Sequence, residues 1–170
     1  MACTHPHNQP INDECFVCGF DNPAGLEAQF VERDDEPGRV VGLFTPKPIH
    51  QSYPGRLHGG VAAAMCDETI GRAFISDHPD QWGVTMELRL RYRKPTPIGE
   101  PLEAVGAITK VTRRTFEGTC EIRRQDGTVC VTAEAIYMRL PVERIVGECS
   151  DDESYVWVDD TRPVPEAPAE

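Results

Sequence analysis

The stretch HGGVAAAMCDETIGRAFIS, from His58 to Ser76, decides how the rest of the chain is interpreted. It contains no proline and is rich in alanine and other strong helix formers, so we predict one long helix here. Apolar residues surround nearly the whole axis in its first half, which is typical of a helix enclosed by other elements. Asp67 and Glu68 interrupt this apolar run. A carboxylate on a buried helix must be paired, hydrogen-bonded or protonated, because burial disfavours its ionised form.

Alternating apolar and polar residues on both sides of this helix predict antiparallel strands. The predicted strands cover residues 26–31, 40–45, 84–93, 102–112, 116–124 and 129–140. Asp126 and Gly127 form a strong turn signal between the last two. In the strand at 84–93, strict alternation would place Val84 and Met86 on one face and Thr85 on the other, with the arginines. One long helix packed on such a sheet makes the predicted fold class α+β.

The 170 residues are enough for one buried core, so a single domain is expected. The predicted organisation is an irregular lead-in at 1–24, a folded domain at 25–140 and an acidic, loosely attached tail at 141–170. The net charge is −11, and the tail contributes nine acids against two arginines. This balance argues against a nucleic-acid partner, whose phosphates would require a basic surface.

Membrane and secretory features are also missing from the sequence. The longest apolar run is the six residues from Val61 to Cys66, far below the roughly 20 that a membrane-spanning helix needs. No charged-then-apolar leader opens the chain. Five of the seven cysteines lie beside apolar residues, which is typical of free thiols in a reducing compartment. We therefore expect a cytoplasmic protein without membrane contact.

The lead-in contains a cluster of potential metal ligands, namely Cys3, His5, His7, Cys15 and Cys18. The Cys-x-x-Cys pair is similar to half of a zinc knuckle, and Cys3 with either histidine would complete a tetrahedral site. A second tight ligand pair is missing, and a domain of this size needs no metal to fold, so zinc remains the alternative. We expect the protein to work without a metal or another cofactor, and chelation to leave its activity intact.

The helix start carries a second chemical feature. Gly59 and Gly60 follow His58, and the N–H groups of a first helical turn stabilise a carbonyl oxygen that gains negative charge. Gly59 and Asp67 are eight residues apart, which is about 12 Å along a helix axis. One carbonyl cannot lie beside both groups of one chain. If both act on the same carbon, they come from two chains with antiparallel helices, so we expect a dimer.

Three segments resemble the hotdog-fold acyl-CoA thioesterases, in particular the phenylacetate-pathway and 4-hydroxybenzoyl-CoA thioesterase-like branch. They are GRLHGGVAAAMCDETIG at 55–71, GVTMELRLRYRKPTPIGEPLEAVGAI at 83–108 and GTVCVTAEAIYMRL at 127–140. The most specific element is His-Gly-Gly with an acid nine residues after the histidine, and CFVCGFDNPAGL at 15–26 is similar to some bacterial members. The resemblance implies a hotdog fold, in which an antiparallel sheet wraps a long central helix. It also implies a homodimer with interface sites, or a dimer of dimers.

The same resemblance implies residue roles. Asp67 takes the position of the catalytic carboxylate, which activates water as a general base or attacks as a nucleophile. Gly59 takes that of the N–H group that polarises the thioester carbonyl. Thr85 falls where some relatives orient water, although a strand position also explains a threonine. Ser52 falls where relatives often have Asn or Gln, and the neighbouring Gln51 is its substitute.

For other candidates a structural role is the favoured alternative. His58 is a catalytic candidate, but it would also brace the loop by hydrogen bonds, since a carboxylate that activates water needs no imidazole. Glu68 lies about 100° around the helix from Asp67 and is expected to be structural. A solvated strand face explains the arginines as well as a phosphate-binding role does. The candidates for substrate binding are Gly60, Gln51, Arg91, Arg93, Lys94, Arg113 and Arg114.

The favoured function is hydrolysis of an acyl-CoA or related acyl-carrier thioester to a free acid and a thiol. The alternative is a non-catalytic acyl-CoA-binding or sensor module with the same fold. Asp67 favours the hydrolase, because a binding module has no use for an acid in an apolar helix. A hydratase with the same fold is disfavoured, because the sequence does not show the pair of Asp and His at a helix start that such an enzyme is expected to have. The identity of the acyl group cannot be derived from the sequence.

Overall fold

The computed structural model describes residues 7–146 and 157–165, which form an antiparallel sheet packed against one long helix. The strands are β1 (His7–Asn8), β2 (Gln29–Glu32), β3 (Val40–Phe44), β4 (Gln81–Tyr92), β5 (Leu102–Val111), β6 (Thr115–Arg124) and β7 (Val129–Pro141). The helices are α1 (Gly59–Ile75) and α2 (Val142–Val146), with a short 3₁₀ turn at Pro48–His50. The sheet order is β1-β2-β3-β5-β6-β7-β4. The predicted α+β class is confirmed.

Helix α1 begins and ends within one residue of the predicted span. His58 caps its start, because its ring Nδ1 accepts a hydrogen bond of 2.9 Å from the Gly60 N–H. The residues that α1 buries against the sheet include Met65, Cys66 and Ile70, all with no exposed surface. No helix in the described ranges is both long enough and apolar enough to cross a membrane.

Two sheet glycines allow α1 to approach the strands closely. A Cβ on Gly106 of β5 would lie 2.8 Å from the Thr69 carbonyl oxygen, and one on Gly118 of β6 would lie 2.5 Å from Ile70 Cγ2. Both distances are far below van der Waals contact, and the first involves helix backbone that cannot rotate away. The separation between helix and sheet is therefore set by residues without side chains.

A β-bulge in β4 corrects the predicted facing of its side chains. Thr85 pairs with Tyr137 of β7, but Glu87 pairs with Ile136, so Met86 is an extra residue. An extra residue reverses the alternation beyond it. Met86 is 58% exposed, and Val84 is exposed as well, so neither side chain is part of the core. Thr85 lies on the helix side instead of on the arginine-bearing face.

The lead-in and the described part of the tail pack onto the domain. Ile11 and Cys18 of the lead-in belong to the main hydrophobic core. Val158 of the tail forms an antiparallel bridge with Ile11, and the Asn8 side chain donates to the Asp160 and Arg162 carbonyl groups at 2.9 and 2.6 Å. For residues 157–165 this corrects the expected loose attachment. Residues 155 and 156, which come directly before Trp157 in the tail, lie outside the described ranges.

We predict opposite effects on stability for two glycine-to-alanine substitutions. Gly106→Ala should lower the free energy of unfolding by about 1–3 kcal/mol, because its Cβ would press on the α1 backbone. Gly71→Ala should raise it by up to about 1 kcal/mol, because Gly71 lies in α1 with open space around its missing Cβ. Urea unfolding of both variants measures the difference. Equal stability of the two variants would contradict the close helix-to-sheet contact.

Candidate active site

The Asp67 carboxylate is held through one of its two oxygens. Its Oδ1 accepts hydrogen bonds of 2.9 Å from the Thr85 hydroxyl and 2.9 Å from the Tyr137 hydroxyl. Within residues 7–146 and 157–165, no donor is bonded to Oδ2. The side chain is half-buried, so this second oxygen is available to a bound molecule while the first is fixed in place.

Tyr137 is a site residue that the sequence analysis missed. Its ring is buried and stacks on Phe116 with centroids 4.6 Å apart, so the hydroxyl has a defined position. Burial raises the pKa of Tyr137, and the neighbouring Asp67 charge raises it further. The hydroxyl therefore stays protonated and donates to Asp67. The signal in the sequence was a single polar hydroxyl on the otherwise apolar inward face of β7, where Val131, Ala133 and Ala135 are its companions.

A cavity of about 570 Å³ opens beside Asp67. Thr85 and Tyr137 line one side of it, and Cys15 from the lead-in and Trp157 from the tail line another. Gly71 lies four residues after Asp67 on α1 and also lines the cavity. No atom lies within 4 Å of the Cβ that Gly71 lacks. Glycine is unfavourable for helix stability, but at this position it leaves the space beside Asp67 open.

Glu68 has the structural role expected of it. Its Oε1 accepts a hydrogen bond of 2.8 Å from Arg72 Nε, and Arg72 is only 3% exposed. Arg72 also donates to the Pro10 carbonyl at 2.7 Å and lies 4.3 Å from the centroid of the Phe30 ring. The ion pair connects α1 to the lead-in, whereas Asp67 is turned toward β4 and β7.

The helix start presents one free N–H group. The Gly60 N–H is bonded to the His58 ring, which corrects the expectation that it is free for substrate and favours the bracing role of His58. The Gly59 N–H has no acceptor in the part of the chain that the structure describes. The Gly59 carbonyl accepts a 2.7 Å hydrogen bond from the Tyr92 hydroxyl. This contact connects the start of α1 to the end of β4.

Gln51 and Ser52 lie in the loop that leads to the helix start. Gln51 Oε1 accepts from the Gly55 N–H at 2.8 Å, and the Ser52 N–H donates to the Arg56 carbonyl at 2.9 Å. Both residues are exposed, and neither lines the cavity beside Asp67. The predicted catalytic residues thus form two groups within one chain, one at the helix start and one around Asp67.

The five basic candidates for substrate binding are not brought together. Arg91 and Arg93 line a concavity on the sheet face opposite α1, and Lys94 is the second residue after β4. Arg113 and Arg114 lie in the turn between β5 and β6. Tyr92, next to the first group, pairs with Val131 of β7, and Thr115, next to the second group, pairs with Met138. These two positions on β7 are seven residues apart, so the two groups are separated by about 23 Å. The five basic residues therefore do not form a single patch within one chain, as a shared role in substrate binding would require.

The predicted zinc ligands are also not assembled within the described residues. His7 of β1 lies 3.8 Å from Glu32 and is not grouped with a cysteine. Cys15 and Cys18 instead lie next to Glu68, with all ligand atoms within 4.8 Å of one another. Cys3 and His5 lie outside the described ranges.

Comparison with known proteins identifies the domain. The family model described as thioesterase superfamily matches residues 54–131, which contain the helix start, Asp67 and Thr85. The chain is 27% identical over 132 residues to acyl-coenzyme A thioesterase THEM4 of Bos taurus, covering 77% of this chain and 53% of the relative. It spans about half the length of the THEM4 proteins that it matches.

Solved structures give the same result for the fold. The crystal structure of RHA08564, a thioesterase superfamily protein, is 33% identical, with a TM-score of 0.67 over 74% of this chain and 63% of that one. A variant of the phenylacetic acid degradation protein PaaI from Thermus thermophilus is 25% identical, with a TM-score of 0.55 over 61% of this chain and 87% of that one. With one helix against a single antiparallel sheet and an acid facing a cavity from that helix, this chain has the hotdog fold of these thioesterase structures, and its residues 54–131 match the thioesterase superfamily model.

Proposed function

We propose that this protein hydrolyses acyl-CoA or related acyl-carrier thioesters to a free acid and a thiol. The observation that carries this proposal is the Asp67 carboxylate, fixed through Oδ1 and open at Oδ2 beside a cavity. The two hydroxyl donors fix the carboxylate and leave Oδ2 as an acceptor for a proton from water. The name of the THEM4 relatives supports acyl-CoA as the thioester class.

In the proposed reaction, Asp67 Oδ2 accepts a proton from water while the water oxygen attacks the thioester carbonyl. The Gly59 N–H donates to the oxyanion that forms. The carbon–sulfur bond then breaks, and the proton held by Asp67 passes to the leaving thiolate. Direct attack by Asp67, followed by hydrolysis of the resulting anhydride, is the alternative route. Thr85 and Tyr137 hold the carboxylate in position in either case.

The proposed active unit is a dimer. Strand β4 lies at the edge of the sheet, and the described residues pair only with its β7 side. Thr85 of β4 contacts Asp67, and Tyr92 of β4 contacts Gly59. If β4 pairs antiparallel with β4 of a second copy, so that Tyr92 faces the Thr85 of that copy, each Gly59 approaches the other chain's Asp67. The twofold axis then passes through the middle of the segment from Thr85 to Tyr92, which gives two equivalent sites.

Two further assignments belong to this proposal. Of the five basic candidates, Arg91, Arg93 and Lys94 are next to Tyr92, which contacts the helix start, so we assign the phosphates of CoA to them and not to the turn between β5 and β6. The five described cysteines are free, which supports a reducing compartment such as the cytoplasm.

We predict that Asp67→Asn abolishes hydrolysis while the protein stays folded. The amide keeps the volume and the hydrogen bond at one oxygen but cannot accept the proton, so kcat should fall at least about 100-fold. Steady-state hydrolysis over short, long and aromatic acyl-CoA thioesters measures the loss. Asp77→Asn, the same change at an exposed position after α1, is the matched control. Near-normal turnover of Asp67→Asn would refute the mechanism, and acyl-CoA binding without any hydrolysis by the unaltered protein would establish the sensor alternative.

We predict that Tyr137→Phe lowers kcat about tenfold or more, with little change in KM. The substitution keeps the stacked ring but removes a hydrogen bond to a charged oxygen, which typically contributes about 1.5–3 kcal/mol. Thr85→Val should act in the same direction through the same oxygen. Thermal unfolding of each variant separates a loss of stability from a loss of turnover. Unchanged kcat in both variants would show that neither hydroxyl positions Asp67.

We predict that two inactive chains restore activity when they are combined. One chain carries Asp67→Asn and the other Gly59→Pro, which lacks the N–H group. In a heterodimer, one of the two sites then contains both intact groups, so about half of the normal turnover per dimer is expected. Purified heterodimers with a different tag on each chain provide the measurement. Verified heterodimers with no activity would contradict a site shared between chains.

A further inference from the structure

Cys15 and Cys18 lie together in the wall of the cavity that contains Asp67. Both sulfur atoms and a Glu68 oxygen lie within 4.8 Å of one another. A tight turn holds the pair, because the Gly19 N–H donates to the Cys15 carbonyl at 2.9 Å. A Cβ on Gly19 would lie 2.1 Å from the Asp13 carbonyl oxygen, so only glycine fits this turn. The two thiols are therefore held side by side by the backbone.

The two sulfur atoms have different surroundings, and burial and the nearby Glu68 charge act to raise the pKa of both. The Val17 N–H donates to Cys15 Sγ at 3.3 Å, and Arg72 Nη2 donates to Cys18 Sγ at 3.1 Å. The hydrogen bond from Cys18 lowers the pKa of Cys15 to about 7, against the opposing effect of burial. The same bond raises the pKa of Cys18. The pair thus contains one thiolate and one thiol near neutral pH, and the thiolate is the accessible sulfur because Cys15 is only half-buried.

Arg72 makes a dithiol a better interpretation than a metal site. Its guanidinium donates both to Glu68 and to Cys18, so a side chain already supplies the cation beside the carboxylate and the buried sulfur. A divalent metal would have to replace these two bonds and remain next to the positive charge of Arg72.

We propose that Cys15 and Cys18 form a reactive dithiol that exchanges with low-molecular-weight disulfides entering the cavity. The Cys15 thiolate attacks one sulfur of the disulfide, forms a mixed disulfide and expels one thiolate. Cys18 then loses its proton and attacks Cys15 Sγ, which expels the second thiolate, and this group takes up the proton. The protein dithiol is oxidised by two electrons, and the small disulfide is reduced to two thiols.

The chain contains an internal control for this reaction. Cys66 and Cys120 also lie close together, and both are fully buried in the core. Burial raises the pKa of Cys120 well above its ordinary value, so this thiol stays protonated, and the core shields both sulfur atoms from solvent. Proximity of two sulfur atoms is common to both pairs. Only Cys15 combines it with thiolate character and access from the cavity.

Oxidation should also lower thioester hydrolysis, and this effect alone rests on the proposed function. A mixed disulfide on Cys15 would occupy the cavity beside Asp67, because both residues line it. An internal disulfide changes the position and chemistry of the Cys18 sulfur that Arg72 contacts. Arg72 is the residue that joins α1 to the lead-in, so the cavity wall would change with it.

Oxidised glutathione tests the proposal on the full chain, with peptide mapping by mass spectrometry. The unaltered protein should form a disulfide between Cys15 and Cys18, with a rate that rises through a midpoint near pH 7 as the thiolate forms. Cys18→Ala should stop at a mixed disulfide on Cys15, and Cys15→Ser should lose the reaction. Without the Cys18 donor, the midpoint should move toward about pH 8.5, and the rate at pH 7 should fall about threefold. Cys130→Ser, which changes a cysteine outside the cavity, is the matched control and should react normally.

Three results would overturn the proposal. They are modification of other cysteines in preference to Cys15, an unchanged rate in Cys15→Ser, and stoichiometric zinc in the purified protein by elemental analysis. Reversible loss of hydrolysis on oxidation, restored by a thiol reductant, would support the coupling to the cavity. A chain that forms the disulfide but never hydrolyses a thioester would support the dithiol and refute the proposed function, so the two failures are distinguishable.

Discussion

The contact between α1 and the sheet at Gly106 and Gly118 is the constraint on which the rest of the structure depends. Because these positions carry no side chain, the helix backbone at Thr69 lies directly against β5, and the Ile70 side chain lies directly against β6. At this distance Asp67 reaches the hydroxyl groups of Thr85 and Tyr137. A wider separation would leave the carboxylate without its two donors. The packing of the core and the geometry of the site therefore have the same origin.

Strand β4 transmits this geometry to both groups of candidate catalytic residues. Near its start, the bulge at Met86 turns Thr85 toward the helix, and at its end Tyr92 contacts the carbonyl of Gly59. The strand is also the edge along which a second copy can pair. One element thus contacts both Asp67 and Gly59 of one chain, and in the proposed dimer it places each of them opposite its proposed catalytic partner in the other chain.

The two ends of the chain complete the cavity. The lead-in contributes Cys15 and Cys18, and the described tail contributes Trp157, which contacts Trp82 edge to face at 5.4 Å. Arg72 connects these parts through Glu68, Cys18 and the Pro10 carbonyl. The hotdog domain supplies the acid, and the flanking segments supply a wall with thiol chemistry next to it.

The sequence by itself determined the helix, the principal strands, the α+β class and the acid on the helix. The two-chain arrangement stays a proposal from the sequence, since eight helical residues span about 12 Å and Gly59 and Asp67 of one chain cannot both reach one carbonyl. These features follow from local periodicity and the regular rise of an element. Only the tertiary structure decided the facing of Thr85, the role of Tyr137, the separation of the basic residues and the contact of the two cysteines with Glu68. Each depends on which strand residues pair or on which distant segments meet, and one extra residue at Met86 is enough to reverse a strand's alternation.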